Sequence, residues 1–127
     1  MYEIKKMKNI FVIILLTIIY SKSFANNVAP EYTKELIALC NSSDPDETEK
    51  CSGYIWGVGD TLSTEYVMND GHTIFEFNIP AYTELSVVKV VIALKTLVHA
   101  YPNTLNQPCV KSVIEAFQLL GVWKYKK

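Results

Sequence analysis

Hydrophobic and polar positions follow a helical period over most of the chain beyond residue 30. The longest such stripe recurs at intervals of three and four residues, at Cys51, Tyr54, Ile55, Val58 and Leu62. This spacing is typical of one apolar face of an α-helix. We therefore predict a helix that is capped by Asp46 and continues to about Met68.

Glycines interrupt this predicted helix within the stretch C-S-G-Y-I-W-G-V-G-D, residues 51–60. A glycine in a helix interior costs about 1 kcal/mol relative to alanine. Gly53 and Gly57 lie one turn apart. We expect their face to be where a second helix or a second subunit comes close.

Shorter stripes predict one helix before this one and one near the end of the chain. Thr33 is expected to cap the first, which stops before the turn-rich run at residues 41–46. The last should begin at Pro108 and be capped by Gly121. Its inward face is predicted to comprise Val110, Val113, Ile114, Phe117 and Leu120.

A third helix is predicted to begin at Thr83 and Glu84 and to end before Pro102. Two adjacent apolar stripes run along it, one through Val87 and Leu94 and the other through Val88 and Ile92. Together they are wide, so we expect this helix to be buried on most sides. Its 3.6-residue period favours a helix over a valine-rich strand.

The segment 69–82 separates the second and third predicted helices. It opens with the turn residues 69–72 and continues with alternating aromatic positions up to Pro80. We interpret it as an ordered loop that packs its aromatics on the core. The fold class is therefore all-α: a single small domain, residues 26–127, of about four helices with a long loop between the second and third.

The N-terminus has the layout of a secretory signal. Lysines precede an uncharged apolar run over residues 10–20, and Ser23-Phe24-Ala25 follows as a small-x-small cleavage site. The run is short for a transmembrane span, which needs about 20 residues. We predict a signal peptide over residues 1–25, cleavage near Ala25 and a periplasmic location. Met7 is an alternative start, and an uncleaved anchor is the alternative to cleavage.

Charge narrows the range of partners for the remaining 102 residues. Residues 1–25 contain four of the 12 basic residues and one of the 13 acids, so residues 26–127 carry a net charge of about −4 and no arginine. Nucleic acids and anionic membranes both attract basic surfaces. We therefore expect no nucleic-acid or membrane partner after signal cleavage, and a protein partner instead.

Three cysteines lie in the exported part, Cys40, Cys51 and Cys109. An exported chain meets oxidising conditions, and an odd number leaves one thiol over. Cys40 and Cys51 flank the turn-rich run and are the natural disulfide pair. Cys109 is then a free, buried small residue or, alternatively, the site of an intermolecular bridge.

Few residues in the sequence are candidates for catalysis or metal binding. The cluster Asp70, His72 and Glu76 contains a single histidine, which is too few ligands for a typical metal site. We find no nucleophile elbow and no glycine-rich phosphate loop. Asp60 in mid-helix has a structural interpretation, which we favour, as the hydrogen-bond partner of a loop backbone or a helix start. The alternative is a functional role as a partner contact or a catalytic carboxylate. We predict a protein that has no cofactor and is not an enzyme.

The motif C-x-G-Y-I-x-G-x-x-D, with Cys51, Gly53, Tyr54, Ile55, Gly57 and Asp60, resembles the Tai/Rap-type immunity proteins. These are periplasmic antagonists of peptidoglycan amidase effectors delivered by type VI secretion. Leu36 with Cys40, the Ile79-Pro80 step and the helix ending at Pro102 match the same pattern. The sequence departs from the pattern at other positions. Asn78 stands where members often carry a cysteine, and residues 121–127 lack the cysteine that members often carry near the C-terminus. Tyr101 stands where the pattern has a histidine.

The resemblance implies an amidase inhibitor that acts by occluding the toxin, and a homodimer as the common oligomeric state. It implies a protruding loop as the binding element, here either 69–82, with Asp70, His72 and Glu76, or 101–108, with Tyr101 and Asn103. The alternative function is a periplasmic stress chaperone or a structural binding protein with no toxin partner.

Overall fold

The computed structural model describes residues 28–127, so the predicted signal peptide at 1–25 lies outside the described residues. The described chain is mostly helical, as predicted. In chain order its elements are α1 (Thr33–Cys40), α2 (Pro45–Met68), β1 (Phe75–Phe77), α3 (Ile79–Thr83), α4 (Val87–Ala100), a 3₁₀ helix (Pro102–Asn106), α5 (Cys109–Leu119) and β2 (Trp123–Tyr125).

The starts of the first two helices differ by one or two residues from the prediction. Tyr32, not Thr33, is the N-cap of α1. Asp44, not Asp46, caps α2, and its carboxylate accepts from the backbone N–H of Asp46 at 3.0 Å. Pro45 occupies the first turn, where its missing N–H would have no helical partner anyway. The predicted end of α2 at Met68 is confirmed.

The predicted Cys40–Cys51 disulfide is confirmed. It joins the last residue of α1 to the second turn of α2. Because the two helices are separated by only four residues, the bond closes a short helical hairpin. Leu36 of α1 and Ile55 of α2 are both fully buried in the core.

The all-α prediction is wrong in one region, because β1 and β2 form a small antiparallel sheet. Its register pairs Phe75 with Tyr125 and Phe77 with Trp123. Phe75, Phe77 and Trp123 are buried, so the alternating pattern of residues 75–77 reflects a strand whose partner is at the chain end. The segment 69–82 is therefore not one long loop.

A short helix, α3, follows β1 directly. Asn78 caps it by accepting from the backbone N–H of Ala81 at 3.0 Å, and Pro80 lies in its first turn. The resemblance described above implies a cysteine at position 78, and the asparagine found there instead caps α3. Consequently α4 does not begin at Thr83 and Glu84; its N-cap is Ser86, and its first residue is Val87.

One face of α4 packs on the core, and the other faces solvent. Val90, Ala93, Leu94 and Leu97 are buried, whereas Val88 and Ile92 are 67% and 58% exposed. The prediction that this helix is buried on most sides is therefore wrong. Its second apolar stripe is left uncovered because no other described element packs over it.

The core lies between α2, α4 and α5, with Val113 and Phe117 of α5 at its centre. Val110 was predicted to face inward on the same helix but is 47% exposed. Gly121 ends α5 with φ +72° and allows the N–H of Val122 to bond to the carbonyl of Phe117 at 2.9 Å. This is the Schellman geometry that glycine favours, and the predicted cap is confirmed.

Candidate functional site

Gly59 is the glycine of the motif helix that another element approaches closely. A Cβ atom placed on it would lie 2.4 Å from the ring of Tyr82, which α3 delivers to α2. On Gly53 or Gly57, such a Cβ would have no described atom within 4 Å beyond its chain neighbours and the helix's own backbone. The predicted close approach of another helix at Gly53 and Gly57 is therefore wrong for residues 28–127, and an approach by a second subunit stays a prediction.

The Tyr82 hydroxyl donates a hydrogen bond to Asp60 Oδ1 at 2.7 Å. Burial, and then the bond to the Asp60 carboxylate, raise the pKa of Tyr82 well above its usual value. The phenol is consequently protonated at neutral pH and acts as the donor. Asp60 is a structural acceptor in this arrangement, although its partner is a tyrosine hydroxyl and not a loop backbone.

Aromatic rings hold Tyr82 from several sides. The ring centroids of Phe77, Trp56 and Phe117 lie 5.2, 5.6 and 6.2 Å from that of Tyr82, all with edge-to-face geometry. Such pairs add about 0.5–1.5 kcal/mol each beyond their area burial. Gly59, which occupies an unspecified position of the motif, and the motif residue Asp60 therefore hold α3 on α2.

Cys109 is free and buried at the start of α5. Burial raises the pKa of its thiol, and burial together with the neighbouring Cys109 raises the pKa of the Tyr54 phenol. The thiolate is the nucleophilic form of cysteine, and a buried thiol with a raised pKa is not activated. The arrangement fits a packed small side chain.

Asp70, His72 and Glu76 are exposed and lie in the connection after α2 and on β1. Asp70 adopts φ +51° at the end of α2, and its N–H bonds to the carbonyl of Val67 at 3.1 Å. Glu76 pairs with Lys124 of β2 at 3.0 Å. Within residues 28–127 no group of three or more His, Cys, Asp or Glu side chains could hold a metal ion.

Tyr101 and Asn103 lie together where α4 passes into the 3₁₀ helix. The Tyr101 side chain is 68% exposed. The turn is anchored at its end, because the carbonyl of Gln107 accepts from the backbone N–H and the hydroxyl of Thr33 at 2.9 and 3.0 Å. The Thr33 hydroxyl also lies 2.6 Å from that of Ser112. A fixed backbone thus presents both predicted residues to solvent.

Two grooves border these features. Tyr101 and Asn103 line a groove of about 800 Å³ that also contacts Gln107 and Glu115; we call it the 101–119 groove. Gly53 and Gly57 line a smaller, apolar groove of about 410 Å³ between α2 and α5. The structure places Asp70, His72 and Glu76 outside both.

Sequence reasoning missed Tyr82, Gln107 and Glu115. A signal for α3 was present, since Asn78 followed by Pro80 is a typical helix start, and Tyr82 lies one turn into that helix. Gln107 and Glu115 carry no local signal, because their shared groove arises only when α5 folds back against the 3₁₀ helix.

No described helix is long and apolar enough to cross a membrane. No family model matches the sequence, and no curated protein or solved structure is significantly similar to it.

Proposed function

We propose that the chain is an exported inhibitor of the immunity type, which binds a peptidoglycan amidase in the periplasm and occludes its active site. The observation that carries this proposal is the motif at residues 51–60. Its cysteine, tyrosine, glycines and acid match the immunity pattern, and the neighbouring pattern elements occur in the same order along the chain.

The structure supports this proposal through the roles of the motif residues. Cys51 is bonded to Cys40, and Asp60 is bonded to the Tyr82 hydroxyl. These two motif residues therefore stabilise the scaffold, and the hydrogen-bond partner of Asp60 among the described residues is the hydroxyl of Tyr82. A scaffold of this kind acts by presenting a surface, and occlusion of an enzyme needs no chemistry of its own.

The turn at residues 101–108 is the binding element that we favour over 69–82. It presents an exposed tyrosine, and the hydrogen bonds from Thr33 to the Gln107 carbonyl fix the end of its backbone. A pre-ordered loop loses little conformational entropy on binding. In the segment 69–82, by contrast, Phe75, Phe77 and Tyr82 are buried in the protein's own core.

Co-purification with the amidase encoded by a neighbouring gene tests this proposal. The chain is produced with its signal and isolated from the periplasm, and the amidase is added to peptidoglycan with and without it. We expect a stable complex and loss of hydrolysis at equimolar protein. Failure to bind any sibling amidase, together with unaltered sensitivity of cells that lack the chain, would refute it.

A second candidate, a periplasmic stress chaperone, is favoured by one observation. Ile92 and Leu119 line an apolar groove of about 360 Å³ on the outer side of α4, and Val88 next to it is exposed. Exposed apolar patches mark binding surfaces. Dye binding and suppression of client aggregation at about pH 3 would support this function, and a chain that remains compact and inactive there would exclude it.

A further inference from the structure

α1 is held at both of its ends by bonds to other elements. Its last residue, Cys40, forms the disulfide with Cys51 of α2. At its start, the backbone N–H and the hydroxyl of Thr33 donate to the carbonyl of Gln107 at 2.9 and 3.0 Å. α1 has eight residues, and an isolated helix of this length is marginally stable in water at best. The position of α1 therefore depends on these attachments and on the packing of its buried Leu36.

The favoured binding element, the turn 101–108, ends against the start of α1. Tyr32 and Pro108 form an isolated antiparallel β-bridge. Next to this bridge, the backbone N–H of Cys109 donates to the carbonyl of Glu31 at 3.0 Å. These contacts connect the last residue of the turn to the residue that caps α1. Displacement of α1 would therefore release this end of the turn.

A pair of buried hydroxyls lies at the same junction. The hydroxyl oxygens of Thr33 and Ser112 are 2.6 Å apart, and both side chains are fully buried. A buried polar group that loses its partner is costly. Separation of the turn from an otherwise intact α1 would break this pair inside the protein. We therefore expect the turn and the start of α1 to open together.

The disulfide restricts the opening of α1. While the bond is intact, Cys40 stays next to Cys51 even when the helix frays, so the start of α1 can re-form its contacts from a short distance. The bonded cysteines are 11 positions apart, and the chain-entropy estimate for a loop of this size corresponds to a factor of about 100 in an opening equilibrium. Loss of the bond should therefore increase the open fraction of α1 and, through the junction, that of the turn.

We infer that the Cys40–Cys51 bond keeps the turn 101–108 in its binding form, with α1 as the connecting element. The identification of this turn as the inhibitory surface rests on the proposed function. Formation of the bond removes two protons and two electrons from the cysteine thiols, and a disulfide oxidant takes them up as it is reduced to two thiols. Such oxidants act in the periplasm and not in the reducing cytosol. The chain therefore completes its binding surface on export.

Hydrogen exchange of single amides tests this connection without a partner. The ¹⁵N-labelled chain from the periplasm is measured by NMR with and without dithiothreitol, which reduces the disulfide and is itself oxidised. Measurement at several low urea concentrations distinguishes local openings, which depend weakly on urea, from global unfolding. We expect the backbone amides of Thr33 and Cys109 to exchange at least tenfold faster after reduction, with a weak urea dependence. Unchanged exchange, or exchange as urea-dependent as global unfolding, would overturn the inference.

A substitution at the junction tests the connection while the disulfide is intact. Thr33→Val removes the hydroxyl that bonds to the turn and to α5. It should accelerate exchange of the Cys109 amide about three- to tenfold, which is the factor that corresponds to a typical net hydrogen bond. Thr61→Val removes a hydroxyl that bonds to the carbonyl of Gly57 within α2 at 2.7 Å, and it is the matched control. Equal exchange in the two variants would overturn the inference.

Inhibition assays separate this inference from the proposed function. The Cys40→Ala/Cys51→Ala variant replaces reduction here, so that no reductant reaches the amidase, and circular dichroism checks that it is folded. We expect it to inhibit at least tenfold more weakly than the native chain, Thr33→Val about three- to tenfold more weakly, and Thr61→Val equally well. If the native chain inhibits and the variants with a weakened junction inhibit equally well, the inference is wrong and the function stands. If reduction accelerates exchange as expected but no amidase binds, the connection stands and the function is wrong.

Discussion

At the scale of single residues, the contact of Tyr82 with Gly59 and Asp60 connects two elements that are distant in sequence. The absence of a side chain at Gly59 admits the ring, and the Asp60 carboxylate one residue later accepts a hydrogen bond from its hydroxyl. Adjacent residues on α2 thus provide both the space and the polar partner for one side chain of α3.

Substitution of two glycines of α2 by alanine tests this contact. Gly59→Ala should lower the free energy of unfolding by about 1–2 kcal/mol, because overpacking against Tyr82 outweighs the gain in helix propensity. Gly57→Ala is the matched control. Beyond its chain neighbours and the helix's own backbone, no described atom lies within 4 Å of the added Cβ, so this variant should gain about 0.5–1 kcal/mol in free energy of unfolding. Urea unfolding followed by circular dichroism measures both, and equal effects would contradict the assignment.

The raised pKa of Tyr82 predicts a loss of stability in alkali. An unfolded tyrosine titrates near 10, whereas the folded phenol keeps its proton to higher pH. The contribution of the protonated Tyr82 phenol to the free energy of unfolding is therefore complete below about pH 10 and falls as the pH rises above it. Unfolding measured between about pH 9 and 11.5 should show a shallower decline in Tyr82→Phe than in the native chain. Parallel declines would contradict the prediction.

At the scale of elements, two connections hold the helices in place. The disulfide joins α1 to α2, and the β1–β2 pair joins the segment after α2 to the chain end. Lys126 extends the second connection, since its backbone N–H bonds to the carbonyl of Ile74 at 3.0 Å. Short elements such as α3 and β1 are thereby fixed at both ends.

Reduction of the disulfide should destabilise the helical hairpin without changing the fold. The bonded cysteines are 11 positions apart, and closure of a loop of this size contributes about 2–3 kcal/mol by the chain-entropy estimate. Urea unfolding with and without dithiothreitol measures the loss. In the Cys40→Ala/Cys51→Ala variant the reductant should have no effect; a loss there would point to another cause.

Removal of β2 should be more damaging than its length suggests. A chain that ends at Val122 loses Trp123, which is 6% exposed, and uncovers Phe75 and Phe77. Truncation of a buried tryptophan costs about 3–5 kcal/mol. Thermal unfolding of this chain is compared with that of a chain lacking only Lys127, which should be native-like. A melting temperature similar in both would show that β2 contributes little.

At the scale of the molecule, the 101–119 groove borders the core and shares the buried side chain of Leu97 with it. Ile55, Leu94 and Phe117 fill the interior, while the groove lies at the ends of α4 and α5. Substitution of exposed groove residues such as Tyr101 should therefore have little effect on stability, whereas substitution of Leu97 should destabilise the fold.

The proposed export makes a prediction for the whole chain. Mass spectrometry of the protein from the periplasm should show an N-terminus at Asn26, one disulfide and one thiol that reacts only after unfolding, because Cys109 is buried. Whole-cell extract from cells with a blocked secretion pathway is the control and should retain the precursor. An intact N-terminus in the membrane fraction would instead indicate an anchor.

The sequence by itself determined the features that depend on nearby residues. The span of α2 to Met68, the Cys40–Cys51 bond and the glycine cap at Gly121 follow from periodicity, proximity and backbone preference, which act over a few positions. These local signals also predicted that Tyr101 and Asn103 would lie in a turn.

Only the tertiary structure decided which residues meet across the chain. The pairing of Phe77 with Trp123, the choice of Gly59 over Gly53 and Gly57, and the meeting of Gln107 with Glu115 in one groove each join separate elements. No local pattern encodes such contacts, because they depend on how whole helices pack. The prediction that α4 is buried on most sides is wrong for the same reason. Apolar periodicity identifies the face that contains Val88 and Ile92, but helix packing decides whether another element covers it.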